Sequence, residues 1–241
     1  MRLAKIFVSV GLFGFASISF CEDIVEKAGR FEVNWTQGKI RFYGTAIAKH
    51  EDGPSWRVAE QTAWAEGLKY FETNFNKLFT SRIGQGRMKV QDKPSLLKST
   101  SSLNTTYYGD DRVKVALEAS ISEVLRANLI SEAGTPLDKP NAKNLIIALE
   151  GPMAPVAIVN IVDENGSELV SENDIVASIA KGGQIPKYFK NNDNNNETLS
   201  QNNTFIEGRL VSPSTVQIAR KNWSPDYAGL IANGRVAISA K

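Results

Sequence analysis

The chain contains one histidine and one cysteine, His50 and Cys21, and that scarcity excludes several chemistries at once. Ser-His-Asp and Cys-His nucleophile schemes would each depend on these residues, and a histidine-rich metal site is impossible. A lone cysteine permits no internal disulfide framework. The HExxH, CxxC and phosphate-loop patterns are missing, and Gly84-Gln85-Gly86 is too short for a dinucleotide loop. Charge of one sign is lacking as well. The chain has 28 Lys+Arg against 26 Asp+Glu, and without Arg2 and Lys5 of its first segment the two balance at 26 each. A balanced chain offers no electrostatic footprint for nucleic acid and no polybasic stretch for anionic lipid. No catalytic, cofactor-binding or metal-binding residue is assigned, and the expectation is a protein that is not an enzyme.

Long apolar runs are scarce too, and the longest stands at the start. Met1 to Lys5 is a short basic opening, followed by an apolar run from Ile6 to Phe20 interrupted only by small residues. A spanning helix needs about 20 apolar residues, so residues 1–21 read as a secretory signal peptide, with an uncut membrane anchor as the alternative. Cys21 stands where a lipoprotein carries its acylated cysteine and is the candidate lipidation residue. Lipoprotein processing favours a small residue just before the cysteine, whereas here it is Phe20. Plain cleavage after Ser19 or Cys21 is the other reading. The expected location is the periplasm, with outer-membrane association if Cys21 is acylated.

What remains, 22–241, reads as a single α+β domain. Apolar residues make up 42% of the 241-residue chain and charged residues 22%, ordinary globular usage that can build a core without crosslinks. Phe31 to Trp35 and Ile40 to Ala48 alternate around Thr36-Gln37-Gly38-Lys39 and predict a β-hairpin. A long helix is expected from a cap at Ser55 to about Phe79. Trp56, Ala59, Ala63, Leu68, Phe71, Phe75, Leu78 and Phe79 form its buried stripe, and Gly67 is its one interior blemish. A short strand is expected around Met88-Lys89-Val90, and Lys98 to Tyr108 reads as an extended segment or loop. Asp110-Asp111 is expected to cap a second helix burying Val113, Leu117, Ile121, Val124 and Leu125.

The remainder reads as β-rich. Asn144 to Leu149 predicts a central strand, Val156 to Val162 a second, and Asp163 to Gly166 a hairpin turn leading to Glu168-Leu169-Val170. The Asp, Glu and Asn side chains of that turn could also hint at calcium, but the twelve-residue loop such a site needs is missing. Asparagine dominates Asn191 to Asn203, which reads as a disordered loop of about 190–204. Gly234 to Ala240 is expected as a terminal strand. The architecture expected is a mostly antiparallel sheet with two amphipathic helices packed on one face.

The run from Gly29 to Gly44, with Trp35, Gly38 and Ile40 at a Trp-x-x-Gly-x-Ile spacing, resembles the opening hairpin of LPP-twenty-like bacterial envelope proteins. In that family a long Ala-rich helix follows, as Arg57, Ala59, Ala63 and Ala65 do here. The stretch Leu145 to Gly151, Ala154-Pro155 and Ile161 to Val170 is similar to the family's strand, Pro-containing strand and Asp-Glu-x-Gly hairpin. The resemblance implies an outer-membrane lipoprotein or periplasmic protein with an assembly role, in some members as a flagellar accessory that builds rings or discs around the motor, and with it a part in motility. It implies partners among further copies of the chain or other envelope and flagellar proteins. The competing expectation is a periplasmic module binding glycan or a small ligand through Trp35, Tyr107, Tyr108 or Trp223. A carboxylate-only glycosidase ranks last, since it needs two acids facing each other about 5 to 10 Å apart.

Overall fold

A computed structural model of the protein describes residues 23–79, 99–128, 144–152, 154–190, 203–232 and 235–240. The segment 1–21 with Cys21, the strand expected at Met88–Val90 and the stretch 191–202 lie outside the described residues.

The alternation in the first hundred residues sets the first half of the fold. Strands β1 (Val25–Ala28), β2 (Phe31–Asn34) and β3 (Lys39–Ile47) form an antiparallel meander, so the expected hairpin is present as β2–β3. Helix α1 then runs over Gly53–Phe79. Its cap is Asp52 and not Ser55: the Asp52 Oδ1 accepts the Ser55 N–H at 2.7 Å, while the Ser55 hydroxyl accepts from His50 N–H at 3.0 Å. Along the helix Ala59, Ala63, Gly67, Phe71 and Phe75 are buried at four-residue spacing, with Leu68 beside them, which places them on one face.

The expected second helix at Asp110 is a correction. Its first half is strand β5 (Arg112–Ser120), paired antiparallel with β3 on one side and with β4 (Thr100–Tyr107) on the other. Among the described residues its helical part is Ile121–Asn128, as α2, and the expected end of that helix toward Gly134 lies outside the described residues. Val113 and Leu117 satisfy a helical spacing, but Val113, Val115, Leu117 and Ala119 also recur every second residue, and all four are buried against α1 and β3. The free β3 edge decides between the two periods. Asp110-Asp111 therefore forms the β4–β5 turn, with Asp111 at φ 59°, a left-handed conformation that Asp tolerates better than most residues.

The five strands take the order β1-β2-β3-β5-β4. On the face away from α1 a row of alternating charges crosses four strands. Lys27 meets Glu32 at 3.7 Å, Glu32 meets Arg41 at 3.5 Å and Arg41 meets Glu118 at 2.9 Å. Such cross-strand pairs add little stability each, but they favour this register over a slipped one.

The second sheet gathers β6 (Asn144–Leu149), β7 (Asn160–Val162), β8 (Glu168–Val170), β9 (Lys187–Lys190), β10 (Asn203–Ser212), β11 (Thr215–Gln217) and β12 (Val236–Ala240). The order is β8-β7-β11-β10-β6-β12-β9. β6 is parallel to both β10 and β12, and β9 is parallel to β12, so the apolar run Leu145–Leu149 is the signature of a parallel strand covered on both faces. The class is α+β, but the expected single, mostly antiparallel sheet with two helices on one face is corrected to two sheets. The first is antiparallel throughout, the second mixed. Parallel neighbours need long crossovers, supplied in part by α3 (Glu172–Ala180) and α4 (Pro225–Ala232). A capping box of Ser171 and Asp174 starts α3, and Pro225 stands at the first turn of α4.

Three smaller expectations also shift. Val156–Val159 is buried but only Asn160–Val162 pairs as a strand, and both ends of the expected Asn-rich loop belong to strands, Lys190 to β9 and Asn203-Thr204 to β10. The terminal strand expected over Gly234 to Ala240 is β12, which begins at Val236 and lies between β6 and β9, with Gly234 outside the described residues. No helix among the described residues is long and apolar enough to cross a membrane.

The buried side chains of both sheets form one continuous hydrophobic cluster. At the junction Trp35 meets Tyr188 edge-on at 6.0 Å, and Tyr188 N–H donates to the Trp35 carbonyl at 3.4 Å. The buried Ser122 hydroxyl accepts from Ile185 N–H at 3.0 Å. The Tyr188 hydroxyl donates to the Val156 carbonyl at 2.6 Å, and complete burial pushes its phenol well above the ordinary tyrosine range. The unfolded phenol loses its proton near pH 10, whereas the folded one keeps it, so the unfolded state binds fewer protons and stability falls as pH rises. The expected slope is about 1.4 kcal/mol per pH unit above roughly pH 10. Urea titrations at pH 9, 10 and 11 should show it, with a shallower decline in Tyr188→Phe. An identical decline in both proteins would show that Tyr188 is not responsible.

Candidate functional site

The residues singled out in the sequence do not converge. His50 is exposed in the bend before α1. Asp163, which could have hinted at calcium, is buried and occupied by its own turn. Its Oδ1 accepts the N–H groups of Asn165 at 2.9 Å and Ser167 at 2.8 Å, and its Oδ2 lies 3.5 Å from Arg220. That is hairpin geometry, with Gly166 at φ 79°. Among the described residues no three His, Cys, Asp or Glu side chains are grouped as a metal site would require.

The four candidate stacking aromatics sit on separate elements. Trp35 is buried in the β2–β3 turn, and its indole N–H has no acceptor among the described residues. It is a core residue and not a platform. Trp223 packs edge-on against Tyr227 at 5.7 Å beside α4. Tyr108 lies under the guanidinium of Arg112, 4.5 Å from its ring centre. Tyr107 alone is well exposed, at 53%.

Tyr107 belongs to β4, which lies within the stretch Lys98 to Tyr108 expected as an extended segment or loop. This strand, Thr100–Tyr107, has the sequence TSSLNTTY, without a charge, proline or glycine. Among the described residues it is paired on one side only, by β5. Residues 101–104, 106 and 107 are exposed, including Leu103 at 46%. Sheet edges of this length are normally blunted with lysine, proline or a covering segment, because their unpaired N–H and C=O groups template further strands. The one interruption is a register shift between Ser102 and Asn104 that leaves Leu103 as an extra residue.

The helix side of β4 is held in place by α1. The Thr105 hydroxyl donates to Glu60 Oε1 at 2.8 Å and the Tyr107 hydroxyl to Glu60 Oε2 at 3.4 Å, while Trp56 meets the Tyr107 ring edge-on at 5.4 Å. Partial desolvation, then the charge and hydrogen bond of Glu60, raise the Tyr107 phenol from its ordinary value. The Thr105 and Tyr107 side chains are thus held by α1, which lowers the ordering cost of an interface that uses them. A run of eight uncharged, Thr/Ser-rich residues before a turn was the available signal.

A second feature is a cavity of about 420 Å³ at the N-terminal ends of the parallel strands β6, β9, β10 and β12. Ile146, Phe189 and Ala237 supply apolar wall, and Lys187 and Arg235 stand at its border. The Arg235 Nε donates to Asn144 Oδ1 at 3.2 Å. None of Trp35, Tyr107, Tyr108 or Trp223 lines it.

No protein-family model matches the chain, and no curated protein matches it.

Proposed function

We propose that this chain is a non-catalytic assembly component of the bacterial cell envelope, periplasmic or held at the outer membrane, and that it serves a flagellum-associated structure. The observation that carries the assembly role is the exposed, uncharged edge of β4. The envelope address rests on the signal-like segment 1–21 and on the resemblance to LPP-twenty-like proteins in the Gly29–Gly44 and Leu145–Val170 stretches. The acidic motifs support a structural use: Asp110-Asp111 makes a strand turn and Asp163 caps one.

Deletion of the gene is expected to reduce swimming motility or envelope integrity, and purified native protein is expected to sediment above its 26.4 kDa chain mass. Swarm-plate assays and analytical ultracentrifugation measure the two. A monomer at every concentration, together with unchanged motility and detergent resistance, would falsify the assembly reading.

A second reading, a small-ligand module, is favoured by the cavity at Lys187 and Arg235. Its apolar wall and cationic border fit an apolar molecule carrying a carboxylate or phosphate. This reading needs no self-association, which separates it from the first.

A further inference from the structure

We infer that the chain pairs with a second copy of itself through β4, antiparallel and centred on Thr105, so that two five-stranded sheets become one continuous ten-stranded sheet. The inference rests on the assembly reading and names its partner.

The choice of a second copy comes from the strand's own sequence. A two-fold axis through the paired edges sets each β4 against itself, so only a self-compatible strand can form the contact. An edge with charges of one sign fails this test because like charges meet across the axis; β4 carries no charge between Thr100 and Tyr107. The faces fix the register. Asn104 and Thr106 pair with Ala116 and Lys114 of β5, residues on the charged outer face, while Thr105 and Tyr107 turn toward Glu60 of α1. Opposed residues must share a face. Centring on Thr105 satisfies that condition: Thr105 opposes its own copy and Asn104 opposes Thr106.

The same register sets Tyr107 against Leu103, which would cover two of the exposed large apolar side chains among the described residues with each other. The extra residue at Leu103 closes the ladder at that end, which limits pairing to one short, defined segment. Helix α1 leaves room for a partner, since it is seated on β3 and β5.

The opposite edge of this sheet is a poorer candidate. β1 has the sequence VEKA and presents Glu26 and Lys27 along four residues. In the second sheet the edge strand β8 is three residues long, and β9 carries a bridge from Asp23 at Phe189. Among the described edges β4 is the long, neutral one.

The test uses complementary charges on the full chain. In Asn104→Lys/Thr106→Lys, lysines oppose lysines across the axis, and the dimer dissociation constant should rise about a hundredfold. Asn104→Glu/Thr106→Glu should be equally weakened. Mixed one to one, the two variants should restore association as heterodimers, a recovery that a folding defect cannot produce. In a Cys21→Ser background, Thr105→Cys should form an intermolecular disulfide on mild oxidation, because directly opposed residues lie within bridging distance. A Val25→Cys control on β1 should not.

Sedimentation velocity and non-reducing gels read the outcomes. If the wild type associates but both charge variants associate equally well, β4 is not the contact and the assembly reading survives without it. If neither association of the wild type nor crosslinking at Thr105 is found at any concentration, both fall. Charge variants that stay monomeric when mixed also overturn the pairing.

Discussion

Gly44→Ala is expected to be the most damaging small substitution in the protein. A Cβ added at Gly44 would lie 1.8 Å from the Ala63 carbonyl oxygen and 2.5 Å from the Gly67 nitrogen. Both are helix backbone atoms, so no side chain can rotate away. Relief requires α1 to lift from β3, and that would open the aromatic layer beneath it. Overpacking of a tight core costs about 1–3 kcal/mol and sometimes more; here the cost should reach at least the top of that range. A loss of about 3 kcal/mol lowers the melting temperature of a domain this size by roughly 10 °C.

Gly67 faces the same crossing less tightly. Its added Cβ would stand 3.0 Å from the Gly44 nitrogen and 3.0 Å from Leu117 Cδ1, and alanine gains helix propensity there. Gly67→Ala should therefore cost less than Gly44→Ala. Gly53→Ala, where nothing lies within 4 Å, is the neutral control. Circular dichroism melts of the three variants decide the matter. Equal melting temperatures for Gly44→Ala and Gly53→Ala would show that helix and sheet are not in backbone contact.

Phe71→Ala should be the most costly truncation of the core. The ring is 1% exposed and touches three other aromatics. It stacks on Phe42 at 4.6 Å, meets Phe75 at 5.0 Å and presents an edge contact to Phe31 at 5.8 Å. Truncation removes the transfer free energy of the ring and leaves a cavity that strands β2 and β3, paired on both sides, cannot fill by collapsing. The expected loss is about 3–5 kcal/mol. Phe71→Leu, which keeps most of the volume, should lose clearly less. Urea unfolding followed by tryptophan fluorescence measures both. In a double-mutant cycle Phe42→Ala and Phe71→Ala should be non-additive, because the second truncation removes a contact already lost. A Phe71→Ala loss under about 1 kcal/mol would mean that the site refills, and that the stack is not what holds α1 down.

These two sites show different degrees of legibility. Phe71 belongs to a stripe visible at helical spacing, and its burial follows from the pattern alone. Gly67 read as a blemish in that stripe, because its purpose depends on Gly44, a residue on another element. Close approach of two backbones leaves no periodic trace in a sequence.

The candidate surface was hidden for a related reason. Thr100–Tyr107 could be read as extended, but whether an extended segment is interior, covered or an edge depends on its neighbours. The strand β5 beside it fits a helical period as well, through Val113, Leu117, Ile121, Val124 and Leu125. A helix there leaves β4 no sheet to be the edge of. The helices α3 and α4 stand in the part expected to be β-rich, although the Ser171–Asp174 capping box and Pro225 after Ser224 are local signals for them.

By itself the sequence determined the local facts: the β2–β3 hairpin, the length of α1 and the burial of its Ala59, Ala63, Leu68, Phe71 and Phe75, the Asp163–Gly166 turn and the buried strand at Leu145–Leu149. Each depends on residues close together in the chain, whose spacing and turn chemistry act before any long-range contact forms. Tertiary structure alone decided the rest: strand over helix at Arg112–Ser120, the parallel pairing of β6 with β10 and β12, the Gly44–Gly67 crossing and, among the described residues, the place of β4 at the end of its sheet. Those outcomes depend on hydrogen-bond partners and backbone separations supplied by distant segments, and the chain's local pattern fits more than one of them.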